Sequence, residues 1–187
     1  MGATGGSLLR GTMLRPSIVV SVLLLVTPAA ADLRIPCLWN PFGGCSVTLV
    51  SPEYAARPVQ PLNPQSALAE VNAFRAKHGL SPLVLDARLS RAAAMHSVNQ
   101  ARRSWIGHFG SDGSTPKDRA ARAGYHAKIA AENVAAGDKS FSDAMRGWEE
   151  SSPHRRNLLL PNVRAAGVGM AQNGSGRPYW TLVLGAE

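Results

Sequence analysis

Three short segments carry side chains able to do acid–base or metal chemistry: Gly107-His108-Phe109, Ala131-Glu132-Asn133-Val134-Ala135, and Trp148 to Asn157, which reads WEESSPHRRN. Two imidazoles and a carboxylate, His108, His154 and Glu132, can bind a divalent ion such as Zn²⁺ with one position left for water. Without metal the same groups can relay a proton. Asn133, Glu150 and Arg155 stand beside them as secondary candidates for binding. No G-x-S-x-G or H-E-x-x-H run occurs, so neither a serine nucleophile elbow nor a zincin helix is present. His96 lies on an apolar helical stripe and reads as a core histidine. His78 and His126 read as surface or helix-end residues.

The elements that must position these groups can be read from caps and periodicity. Asn63-Pro64 starts a helix, with Leu68, Val71, Phe74 and His78 at helical spacing and Gly79 as its stop. Asp86 caps a second helix running to about Arg103, with Leu89, Ala92, Ala93 and His96 on one stripe. Thr115-Pro116-Lys117-Asp118 resembles a capping box opening a third helix to about Ala123. Phe141, Ala144, Met145 and Trp148 mark an amphipathic fourth. Ser152-Pro153 caps a short fifth that carries His154. Residues 165–171 and 179–184 read as strands joined by Asn173-Gly174-Ser175-Gly176. The second strand is apolar on both sides, so helices must cover both faces of its sheet. The reading is an α+β, three-layer α-β-α sandwich with the functional groups at turns along one rim.

The chain has 187 residues, 20 Lys and Arg against 12 Asp and Glu, and two cysteines. Before Asp32 the only charges are Arg10 and Arg15. The run from Ser17 to Val26 is too short to span a bilayer as a helix, and Ala29-Ala30-Ala31 offers an A-x-A cleavage site. Residues 1–31 therefore read as a signal peptide, which places the protein outside the cytoplasm, periplasmic or extracellular, with no stable membrane span. Its removal takes two arginines and no acid, leaving 18 cations against 12 anions, a charge of +6. Residues 32–62 hold five prolines and read as a Pro-rich leader. Cys37 and Cys45 lie within it, as a disulfide pair or with one of them lipid-modified. A chain of this kind, without zinc finger, RNP signature or stacking platform, is expected to meet no nucleic acid and to be a monomer.

The ordered set of motifs resembles the CAP superfamily (SCP/PR-1-like) in its compact bacterial branch. It comprises Asp86, Leu89 and His96; His108 with the Asp112-Gly113 turn and Arg119; Gly124-Tyr125; Glu132 to Ala135; Trp148 with Ser152-Pro153-His154-Arg155 and Asn157; and Gly167-Val168-Gly169. The likeness covers about Ala67 to Leu184, so that residues 63–187 would form the CAP domain. It implies a small, mostly antiparallel sheet between helices and a shallow cleft. His108 matches the first His of the larger members' cleft and Glu132 its first Glu. Their second Glu falls near Ser151 and their His-Tyr-Thr-Gln run is absent. His154 belongs to the bacterial SPxHR pattern. The resemblance implies a ligand-binding module for a small-molecule, lipid or cell-wall ligand. The alternatives are a metal-dependent hydrolase with Glu132 as base and His108 and His154 as ligands, and a structural or adhesion protein.

Overall fold

The structure is a computed structural model, and it describes residues 1–2 and 57–187. Nearly all of the expected signal peptide, most of the expected leader and both cysteines lie outside the described residues. The fold below is that of residues 57–187.

The expected caps set the helix starts. Asn63 accepts from the amides of Gln65 and Ser66 and opens α1 (Pro64–Lys77). Gly79, at φ +70°, then takes the left-handed conformation that turns the chain away. Asp86 accepts from Arg88 and Leu89 and opens α2 (Ala87–Arg103). Thr115 and Asp118 form the reciprocal capping box of α3 (Pro116–Arg122). Ser140 caps α4 (Phe141–Glu150). At α5 (Ser152–Leu158) the expectation fails in detail: the capping position is Ser151, and it makes no side-chain cap bond. Its hydroxyl meets His154 Nδ1 at 3.0 Å instead.

Four strands form one sheet: β1 (Val84–Leu85), β2 (Ile129–Ala136), β3 (Ala165–Gln172) and β4 (Pro178–Ala186), in the order β1-β3-β4-β2. β1 runs parallel to β3, and the other pairs are antiparallel. Sequence pattern alone gives β3 and β4, names no strand at β1, and puts Glu132 of β2 at a turn. β2 is instead a full edge strand, paired with β4 from Ile129↔Ala186 to Ala136↔Tyr179. Its alanines, glutamate and asparagine are weak strand formers, so pairing rather than propensity makes the strand.

Two cores lie on the two faces of the sheet. Trp180, Leu182 and Leu184 of β4 pack with Phe74, Trp148 and Leu158 from α1, α4 and α5. Val183 faces the other way, against Leu89 and Ala93 of α2, Ala120 of α3, and Tyr125. Phe141 packs edge-on against both Trp148 and Trp180. The fully buried Arg75 ties the end of α5 to α1 through the carbonyls of Leu158 (2.8 Å), Leu160 (3.0 Å) and Ser81 (3.0 Å). Contacts with the domain begin ahead of Asn63. Arg57 pairs with Asp143 at 3.1 Å, the Gln60 amide donates to Lys139 O, and Leu62 packs on the core.

α2 lies directly on β3 because Gly167 and Gly169 leave room for it. A Cβ on Gly167 would sit 2.1 Å from the backbone of Leu89 and Ser90, and one on Gly169 2.3 Å from that of Ala94. Gly167→Ala should therefore lower unfolding free energy by about 1–3 kcal/mol or more, as overpacking does. Gly174→Ala, with nothing within 4 Å of the added carbon, should change it little. Urea melts of the two variants read the difference.

Candidate functional site

Glu132 lies in the middle of β2, opposite Val183. That register turns its side chain toward α2 and α3, where it is 1% exposed. A carboxylate buried there needs a cation, and Arg119 of α3 supplies it, Nη2 to Oε2 at 2.6 Å. The other terminal guanidinium nitrogen, Nη1, donates to His108 O (3.0 Å) and Ser114 O (2.7 Å), fastening the loop between α2 and α3. Oε1 of Glu132 meets His108 Nδ1 at 3.0 Å. A carboxylate only accepts, so Nδ1 carries a proton, and Nε2 is the acceptor of the ring's neutral form. His108 itself is half-exposed.

His96 completes this side. It is buried, as the apolar stripe of α2 led one to expect, and its Nε2 donates to Gly107 O at 2.8 Å. Nε2 also stands 3.6 Å from Glu132 Oε1. Burial lowers the pKa of His96, outweighing the pull of Glu132, while Arg119 and His108 lower it further. The ring thus stays neutral inside the fold. Ser97 and Gln100 extend the polar interior to Thr181 of β4, at 2.9 Å and 3.1 Å.

Asn133 is the next residue, and strand alternation sends it to the opposite face. It is fully buried, and its Nδ2 donates to His154 O at 3.1 Å. Asn157 Nδ2 donates to Asn133 Oδ1 (2.9 Å) and to the Glu132 carbonyl (3.1 Å). The dipeptide Glu132-Asn133 therefore holds both layers: His108 through the glutamate on one face, the first turn of α5 through the asparagine on the other. Burial, with the charge of His108 adding to it, lowers the pKa of His154.

The structure thus brings Glu132 onto His108, and sets His154 at the same edge without a hydrogen bond or ion pair to Glu132 among the described contacts. Glu132 is not at a turn, as the rim argument expected; it is internal to a strand. Arg155 faces α1: it lies 5.4 Å over the Phe74 ring and donates to His78 Nε2 at 3.0 Å. Glu150 is an exposed residue at the end of α4. What the reading of the residues missed is the pairing of Arg119 with Glu132 and the tie through Asn157. The available signal was the strand's own composition, since a lone acid among alanines calls for a buried cation.

The residues do not fit a three-ligand metal centre. Both oxygens of Glu132 are engaged, and among the described residues no group of three His, Cys, Asp or Glu stands close enough to share an ion. The same engagement argues against Glu132 as a hydrolytic base.

A sheet between helices, with this His/Glu edge, is the architecture of an SCP-type domain. The family described as the cysteine-rich secretory protein family, CAP, matches residues 68–184, and the chain belongs to it. YkwD of Bacillus subtilis is 36% identical over 110 residues, which are 59% of this chain and 42% of that one. An extracellular SCP-domain protein of Bacillus anthracis superposes with a TM-score of 0.61 at 25% identity, covering 68% of this chain and 45% of its own. An outer surface protein of Borrelia burgdorferi has the same fold, with a TM-score of 0.61 at 19% identity, covering 66% of this chain and 91% of its own. The chain thus spans less than half of YkwD and of the B. anthracis protein.

Two outcomes follow from this geometry. Glu132→Gln should destabilise by about 3–5 kcal/mol, because Arg119 is left buried and unpaired. Replacing both partners, Arg119→Met with Glu132→Leu, should cost less than the sum of the single changes; urea melts complete the cycle. Second, His96 has its folded pKa below the unfolded value of 6.5, so the unfolded chain binds the extra proton first. Its contribution to stability is intact above pH 6.5 and is lost as pH falls below that value. Denaturation midpoints measured from about pH 7.5 down to about pH 5 should fall less in His96→Gln than in the parent chain.

Proposed function

We propose that the protein is an exported binding module whose ligand sits at the edge of β2 between His108 and His154. The observation that carries this reading is the fixed tautomer of His108. Glu132, held by Arg119, accepts from Nδ1–H, so that the neutral ring turns a half-exposed acceptor, Nε2, outward. Such an acceptor suits a hydroxyl or amide N–H. Among envelope ligands it suits an amide- and hydroxyl-rich wall fragment better than a hydrocarbon chain. Burial favours neutral His154, and Ser151 Oγ on Nδ1 orients its ring. The pair is thereby set to hydrogen-bond a ligand lying across the edge. Export rests on the Ser17–Val26 core and the Ala29-Ala30-Ala31 site, and is supported by an extracellular relative of the same fold.

Soluble peptidoglycan fragments titrated into ¹⁵N-labelled protein should shift the amides of 107–109 and 151–155. His108→Ala and His154→Ala should each remove the shifts while circular dichroism shows the parent fold. A parallel Zn²⁺ titration tests whether the two imidazoles take an ion. Shifts confined to other surfaces, or kept in both variants, would sink the proposal. Protein recovered from the exporting host should begin at Asp32 on N-terminal sequencing.

A further inference from the structure

The outer face of α2 and the loop after it gather exposed apolar side chains away from both cores. Among the described residues seven large hydrophobic side chains are exposed, and five of them fall between 95 and 109: Met95, Val98, Trp105, Ile106 and Phe109. Met95 and Val98 are three apart and share a helix face. Ser104, at φ +48°, turns the chain at the end of α2. The Trp105 amide then donates to Gln100 O, and His96 holds Gly107 O, so the loop folds back along the helix. A Cβ on Gly107 would meet the Trp105 ring at 2.0 Å, so the ring lies directly over that glycine. The loop is thus pinned from beneath, while Phe109 is 61% exposed and Trp105 45%.

Charge along this stretch of the chain has one sign. Residues 87–111 include no Asp or Glu, and carry Arg88, Arg91, Arg102 and Arg103. Arg88 is held by Asp86 and Glu187, whereas the other three are exposed. The Arg103 guanidinium lies 5.2 Å over the Trp105 ring. The next acid, Asp112, is paired with Arg122. Apolar and aromatic groups beside exposed arginines, with the nearby Asp112 already paired, complement hydrocarbon beneath a layer of anionic head groups.

We infer that this face docks on an anionic lipid bilayer, with Trp105, Ile106 and Phe109 entering the interface and Arg91, Arg102 and Arg103 on the head-group phosphates. Tryptophan belongs at that depth, its ring half in hydrocarbon. The arginine contribution is screened by salt. Because His108 lies between Ile106 and Phe109 in the chain, docking would present the His108 edge close to the membrane. The inference does not rest on what that edge binds.

The test uses vesicles of phosphatidylglycerol with phosphatidylcholine, against vesicles of phosphatidylcholine alone. The Trp105 signal is the difference between the parent chain and Trp105→Phe, so it reports this loop whatever else holds the chain at the vesicle. It should shift to the blue on anionic vesicles, be quenched by bromine-labelled acyl chains, and weaken in high salt. Ile106→Glu with Phe109→Glu should lower partitioning about tenfold or more, with circular dichroism and melting unchanged. His154→Ala should partition like the parent. The inference is overturned if Trp105 escapes quenching, if neutral vesicles serve equally, or if the double variant partitions normally. It is also overturned if light scattering shows a dimer that Phe109→Glu dissolves, since the patch then belongs to a second copy of the chain.

Discussion

The buried pair of Arg119 and Glu132 is the constraint on which the functional edge depends. A carboxylate 1% exposed in an apolar strand is tolerable only while its cation stays in place. That cation also donates to the carbonyls of His108 and Ser114, so the charge that keeps Glu132 inside fixes the loop carrying His108. The remaining carboxylate oxygen then sets which nitrogen of His108 carries the proton. One ion pair thus determines strand burial, loop path and imidazole tautomer.

The edge position of β2 turns this into a site. An edge strand leaves backbone groups without a strand partner. Here Asn157 fills part of that demand by donating to the Glu132 carbonyl, and in doing so draws α5 alongside the strand. Because successive side chains point to opposite faces, Glu132 reaches into one layer and Asn133 into the other. In the middle of the sheet those two residues would serve separate cores. At the edge they bring together groups from both.

The fold owes nothing to disulfides within residues 57–187, which contain no cysteine. Two apolar cores supply the stability, and long-range hydrogen bonds tie much of the polar interior: Arg75 on the end of α5, Gln100 and Ser97 on Thr181, and the Trp148 indole on Val134 O. Gly167 and Gly169 add the close approach of α2 to β3 that lets short side chains such as Ala93 fill the gap.

By itself the sequence determined what depends on neighbours along the chain. Asn63, Asp86 and the Thr115–Asp118 box name their helices because a capping side chain bonds amides two or three residues away. The two-sided apolar pattern of β4 called for helices on both faces, and the motif order pointed to the family. Tertiary structure alone decided β2, since Ile129 and Val134 are outnumbered in IAAENVAA by weak strand formers until β4 pairs with it over eight residues. It also decided the role of Glu132. Spacing could show that an acid lay between two histidines. Whether its oxygens faced solvent or a buried arginine depended on α3 packing against the far side of the sheet, a contact between residues 13 apart in the chain.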